Sequence, residues 1–293
     1  MATATETPGA EVLGLTTARR STAAASWTAF KALLLRDFTV LRKSLNEFLP
    51  RTLIQPFLLV FVFTYVFPKI GQGIGGGGGG PAAQSAFATV LVAGVVGVTI
   101  LFQGIQSVAL PMVQEFGYTK EIEDRVLAPL PVSLVALGKV TSGALQGLLA
   151  ALLVFPIAAV VPANDVHLHV NWLVLLTLAP LACITASALG LTFGTRFEPR
   201  TVPLMFGVVV IPLTFLGAVY YSWVALDPIK IWGFSWLKWL VLVNPLVYMS
   251  EGFRAALTTA DHMSLAAVYL VLAGFAALFL YLGINGFKKR VLS

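Results

Sequence analysis

The chain has 293 residues, of which 58% are hydrophobic and only 11% charged, against roughly 25% charged in ordinary soluble domains. That balance excludes a soluble globule, because the apolar residues fall in blocks of about 20 or more, the length that crosses a hydrocarbon core of about 30 Å. The net charge of +6 comes from basic residues between the apolar blocks; it reports membrane topology, not a nucleic-acid partner.

In chain order, residues 1–25 are rich in Ala, Thr, Ser and Gly and read as a disordered cytoplasmic tail. Trp27, Phe30, Leu34, Phe38, Leu41 and Leu45 then recur at steps of three and four, with Lys31, Arg36, Thr39, Arg42 and Lys43 on the other side. The spacing predicts an amphipathic helix over 26–46, suited to lying in the membrane interface; a soluble helix packed on a partner is the alternative. Six spans are predicted, over about 52–67, 83–113, 134–161, 172–193, 202–223 and 264–287. Pro50 and Pro56 punctuate the first, and a glycine-rich loop follows it. The lone cysteine, Cys183, lies within the fourth and can form no internal disulfide.

Two connections stand out. The stretch 115–131 carries the densest internal charge cluster and must be aqueous. It reads as a short helix over about 119–128, with Glu121, Glu123, Asp124 and Arg125 on its polar side and Pro129 ending it; a solvated turn is the alternative. The region 224–263 is apolar but punctuated by Trp232, Trp236 and Trp239, residues typical of a membrane boundary. In it, Asn244-Pro245 is a helix N-cap followed by Pro at the first helical position. The expectation is a pair of short re-entrant helices over about 228–257, dipping into the outer leaflet. A seventh span is disfavoured by charge. With six spans, only Lys69, Lys230, Lys238 and Arg254 of the 19 basic residues fall outside, which places both termini in the cytoplasm.

Several polar residues sit in apolar surroundings. Gln103 and Gln106 share a face of the second span and either line a transport path or bond between packed helices. Gly94, Gly97, Gly104, Ser187 and Gly190 read as close-packing positions. Tyr220 and Tyr221, ending the fifth span, line an outer exit or anchor at the interface. Lys139 is expected to snorkel to the headgroups. His167 and His169 read as a solvated loop, with no metal site and no catalytic set. Glu251 and Arg254 lie three apart on the helix opened by Asn244; they are expected either to pair and act as an outer gate or to reach the outer headgroups.

The phrases Glu121-Ile122-Glu123-Asp124-Arg125-Val126-Leu127-Ala128-Pro129-Leu130-Pro131 and Asn244-Pro245-Leu246-Val247-Tyr248-Met249-Ser250-Glu251-Gly252-Phe253-Arg254 complete this set. Together with the six-span plan they resemble the membrane subunit of type-2 ABC exporters, of the daunorubicin-resistance and nodulation-factor kind, from Trp27 onward. The resemblance implies an all-α polytopic permease in the cytoplasmic membrane, working as two permease subunits, by expectation a homodimer, with two ATP-binding subunits. It assigns Glu121, Glu123, Asp124 and Arg125 to a coupling helix that docks on the ATPase. It also sets the helix bearing Trp27, Phe30, Lys31, Arg36 and Arg42 against that subunit. The chain itself has no Gly-x-x-x-x-Gly-Lys-Ser/Thr, so this polypeptide is not expected to be an enzyme, and ATP and Mg belong to the partner. The expected function is outward movement of an amphipathic drug, lipid or lipid-linked glycan. An ion-coupled secondary transporter and a non-transporting scaffold are the alternatives.

Overall fold

A computed structural model describes residues 22–71, 80–119, 131–230, 233 and 235–292. Among them the regular structure is entirely helical. Helix α1 (Thr22–Lys43) turns at Ser44 into α2, which runs from Leu45 to Lys69. The Ser44 hydroxyl donates to Val40 O at 2.9 Å and so satisfies a carbonyl at the joint. Helix α3 (Pro81–Gln114) continues through a π turn, Glu115–Thr119. Then come α4 (Val132–Val160) and α5 (Trp172–Arg196), the latter capped by the Asn171 side chain, which accepts from Val174 N. The closing helix, α9 (Leu265–Leu292), follows a region of shorter pieces. Five of these helices, α2, α3, α4, α5 and α9, are long and apolar enough to cross a membrane.

The fifth expected span is not of that length. Its pieces Val202–Met205, Phe206–Val210 and Ile211–Phe215, of 4, 5 and 5 residues, form one short helix, α6. At 1.5 Å per residue it reaches about 21 Å, short of the hydrocarbon core. The apolar pattern over 202–223 continues past the point where the helix stops. Ala218 takes a left-handed backbone, φ 52°, and the chain turns back. Two short helices follow, α7 (Trp236–Leu240) and α8 (Pro245–Leu257). Asn244 caps α8 by accepting from Leu246 N at 2.9 Å. Its amide also donates to Leu213 O at 2.6 Å, tying the start of α8 to the end of α6.

Helix α3 is the axis of the packing, with 72% of its most apolar stretch buried. It packs against α5, α4, α8 and α2, while α9 lies against the far side of α5. Small residues set the closest crossings. A Cβ on Gly104 would lie 2.5 Å from Ala186 Cβ and 2.8 Å from its carbonyl carbon, and one on Gly190 would lie 2.7 Å from Gly104 O. Backbone is therefore in contact with backbone where α3 meets α5, the close approach that small residues allow in membranes. The other side of α5 is held differently: the Thr192 hydroxyl lies 3.0 Å from Phe279 O of α9. By contrast α6 keeps an apolar face bare, with Leu204, Val208 and Phe215 each more than 60% exposed.

These crossings make a direct forecast. Gly104→Ala would force a methyl against rigid backbone, an overpacking cost of about 1–3 kcal/mol. Gly274, in α9, has nothing within 4 Å of its absent Cβ, so Gly274→Ala is expected to be neutral. Thermal unfolding of the two variants in detergent should show a lowered Tm for the first only.

Candidate functional site

Two polar clusters interrupt the apolar helices, one at each end. The first lies at the end that carries Arg196 and Arg290. There α1, the start of α2, the last turns of α3 and the first turns of α4 enclose a cavity of about 460 Å³. Arg36, Glu47 and Arg51 stand exposed at its rim. One wall is an ion pair: Lys139 Nζ lies 2.5 Å from Glu115 Oε1, with both side chains about nine-tenths buried. Lys139 therefore does not snorkel; a buried carboxylate one helix away offers its ammonium a better partner than distant headgroups. Deeper in, Thr52 Oγ1 donates to Gln103 Oε1 at 3.1 Å, and Gln103 Nε2 donates to Gln146 Oε1 at 3.4 Å. Gln103 thus joins α2, α3 and α4, is itself buried, and sits just behind Gln146 in the cavity wall. Gln106 is half-buried and outside this chain of bonds.

The second cluster closes the other end. Helix α8 is buried along nearly its whole length, and Glu251 and Arg254 are fully buried in it. Neither reaches a headgroup. The Arg254 guanidinium donates from Nη1 to Glu251 Oε1. From Nη2 it donates to Ala218 O at 3.0 Å and Tyr221 O at 3.1 Å, two carbonyls left over where α6 unwinds. Glu251 accepts from Trp223 N at 2.7 Å through Oε1 and from Met263 N at 2.8 Å through Oε2. The pair therefore satisfies four main-chain groups of two irregular segments, which lipid could not do. Tyr220 and Tyr221 belong to the same cluster: the Tyr220 ring packs on Phe63 at 5.1 Å, and the Tyr221 hydroxyl donates to Phe215 O at 3.1 Å. Trp223 completes it, its indole donating to Lys238 O at 3.0 Å with Lys238 Nζ 4.1 Å from the ring centre.

The α1 residues divide by side. Leu41 is buried and Phe30 half-buried, Phe30 packing with Ala29 and Leu33 toward Val135 and Ala136 of α4. Trp27 is exposed and stacks on Phe30, with Lys31 Nζ 5.2 Å from its ring; Arg36 and Arg42 are exposed. Glu121, Glu123, Asp124 and Arg125 lie outside the described residues. Among the described residues no group of three or more His, Cys, Asp and Glu could hold a metal ion. Glu115, expected at the start of the aqueous charged stretch, is instead buried against Lys139, and the spacing marked neither Thr52 nor Gln146. Each is a single polar residue on an apolar helix, and nothing in the spacing of one helix shows which residue of another it will meet.

The geometry of the second cluster sets the outcome of a mutational cycle. Glu251→Ala and Arg254→Ala each leave a buried charge without its partner and are expected to cost about 3–5 kcal/mol. The double variant should fall short of the sum of the two. It should not be milder than either, because it still orphans the amides of Trp223 and Met263 and the carbonyls of Ala218 and Tyr221. Tm values of the three variants in detergent test this; strict additivity would contradict it.

Comparison with known proteins bears on what such an arrangement does. The family model for ABC-2 type transporters matches residues 28–258, spanning α1, both polar clusters and the end of α8. The chain is 27% identical over 259 residues to the inner membrane transport permease YadH of Escherichia coli K12, covering 86% of this chain and 92% of that protein. The permease of the same name from Shigella flexneri matches to the same extent. On these grounds, and on a helical fold that carries a polar cavity into an apolar bundle, the chain belongs to the ABC-2 type transporter family as a multi-pass inner-membrane permease.

Proposed function

We propose that this chain is the membrane subunit of an ATP-driven exporter that moves an amphipathic substrate outward. The observation that carries the reading is the asymmetry of the two clusters. A charged cavity at the basic end reaches Gln146, behind which lie Gln103 and Thr52, and at the opposite end α8 is buried with its ion pair. This is the shape of an inward-open pathway with its outer side shut. The basic end then faces the cytoplasm, as the distribution of Lys and Arg favours, and both termini lie there. α7 and α8 are the re-entrant pair of the outer leaflet, with Glu251, Arg254, Tyr220 and Tyr221 as the outer gate.

In this reading the energy comes from an ABC ATP-binding subunit, which holds ATP and Mg. Glu121, Glu123, Asp124 and Arg125 form the coupling helix between α3 and α4. Closure of two ATP-bound subunits would push on that helix and shift the population from inward-open to outward-open states, through the higher affinity of ATP for the closed arrangement. The assembly has two permeases, by preference identical. The bare apolar face of α6, with Leu204, Val208 and Phe215, is suited to a second copy as well as to lipid.

Two measurements test this. Alanine at all four of Glu121, Glu123, Asp124 and Arg125 should leave membrane insertion unchanged but abolish co-purification of the ATP-binding subunit or its substrate-stimulated hydrolysis. Unchanged assembly and transport would reduce the stretch to a solvated turn. For topology, Gly77→Cys, Lys120→Cys and Arg290→Cys in a Cys183→Ser background should separate under an impermeant thiol reagent added from outside. Position 77 should label and positions 120 and 290 should not; labelling of 290 would overturn the orientation.

A further inference from the structure

Six charged residues line the inner cavity, three of each sign, and not all of them pair among the described residues. Lys139 pairs with Glu115, and Arg36 lies 3.7 Å from Asp37. Glu47 and Arg51 also line the cavity and have no ion-pair partner among the described residues. They stand one turn apart on α2, at positions whose Cβ atoms are about 5–6 Å apart, yet their charges do not meet within 4.0 Å. A cation and an anion so spaced, unpaired among the described residues, match a ligand that carries both an anionic and a cationic group a few bonds apart. The surface beside them is apolar: Ile54, Phe57 and Leu58 of α2 and Leu145, Leu149 and Leu152 of α4 are all exposed. A soluble zwitterion would gain nothing from that surface, whereas an acyl chain would.

We infer that the cavity between α1, α2 and α4 binds the headgroup of a zwitterionic phospholipid of the inner leaflet. Arg51 takes the phosphate, Glu47 the ammonium, and the chains lie along the apolar faces of α2 and α4. A guanidinium offers a phosphate paired N–H donors, and the pairing is charge-assisted. The volume of about 460 Å³ falls in the range of small-ligand sites, about 300–1,000 Å³. Ser107, Ser142 and Gln146 supply uncharged donors and acceptors deeper in the cavity. The inference deepens the exporter reading by giving its substrate a class, and it takes from that reading which leaflet the basic end faces.

The purified full-length chain, without ATP or any partner, would be exposed to equimolar phosphatidylethanolamine and phosphatidylglycerol, and retained lipid measured by native mass spectrometry. Several-fold preference for phosphatidylethanolamine is expected. Glu47→Gln should bring the ratio near one, and Arg51→Gln should lower retention of both lipids about tenfold. Arg51→Lys should restore most of it, and Lys43→Gln, outside the cavity, should change nothing. Phosphate at about 10 mM should not displace the lipid; if it does, the site is one for free anions and the inference fails. Equal retention by wild type and both cavity variants would also overturn it. So would loss of ATPase co-purification in Glu47→Gln and Arg51→Gln with lipid retention unchanged, which would give the face to the ATP-binding subunit. An arm needing no variant uses a headgroup-photoreactive phosphatidylethanolamine on wild-type protein. Adducts are expected in peptides spanning 36–51 or 139–146, and adducts confined to peptides from the opposite end would refute the site. Because nothing here is powered by ATP, a negative result leaves the exporter reading standing. Failure of ATP-driven export would equally leave a binding site standing.

Discussion

A polypeptide that stops being helical inside a bilayer must find partners for its freed amides and carbonyls within itself. In this protein that constraint is met by Glu251 and Arg254. A buried ion pair is in general poor value for stability, since desolvation offsets most of the attraction. Here the value lies elsewhere: the two side chains supply donors and acceptors to Ala218, Tyr221, Trp223 and Met263, where helix geometry supplies none. The shortness of α6, the left-handed turn at Ala218 and the burial of α8 all rest on that exchange. Gly94 supports it from α3, since a Cβ there would lie 2.2 Å from Val219 O.

Around this clamp the helices fall into two kinds. α3, α5 and α8 share backbone-close crossings and carry most of the buried apolar side chains of the main core. α2 and α6 are attached more lightly; only 22% of the most apolar stretch of α2 is buried. Elements with few buried contacts open at the lowest free-energy cost. The inner cavity is walled on one side by α3 and α4 and on the other by α1 and α2. A change in its shape is therefore carried most cheaply by α1 and α2.

Much of the helical plan could be read from hydropathy, because a run of some 20 apolar residues has few other fates. α3, α4, α5 and α9 lie close to their expected bounds, as does the N-cap at Asn244, whose chemistry is local. The fifth span was misjudged because apolar composition measures whether a segment may enter hydrocarbon, not whether it stays helical there; Leu216 to Tyr221 are apolar and not helical. The pairing of Glu251 with Arg254 could be anticipated from their spacing on one helix. Their backbone partners could not, since three come from residues 28 to 36 positions earlier in the chain and the fourth, Met263, from 12 positions later. Lys139 was misread for the same reason: its carboxylate stands on a different helix.

The clamp also dictates an order of assembly. An Arg or an acidic residue at the centre of an inserting helix costs about 2.5–3.5 kcal/mol each, and α8 is only 13 residues long. Such a segment cannot leave the translocation machinery for lipid as an independent helix. Its burial needs α3, α5 and the end of α6 in place, since these supply the walls, carbonyls and amides of its slot. Seating α8 is thus a folding step and not an insertion step, and a chain cut short before Met263 would hold Glu251 without the amide that completes its coordination.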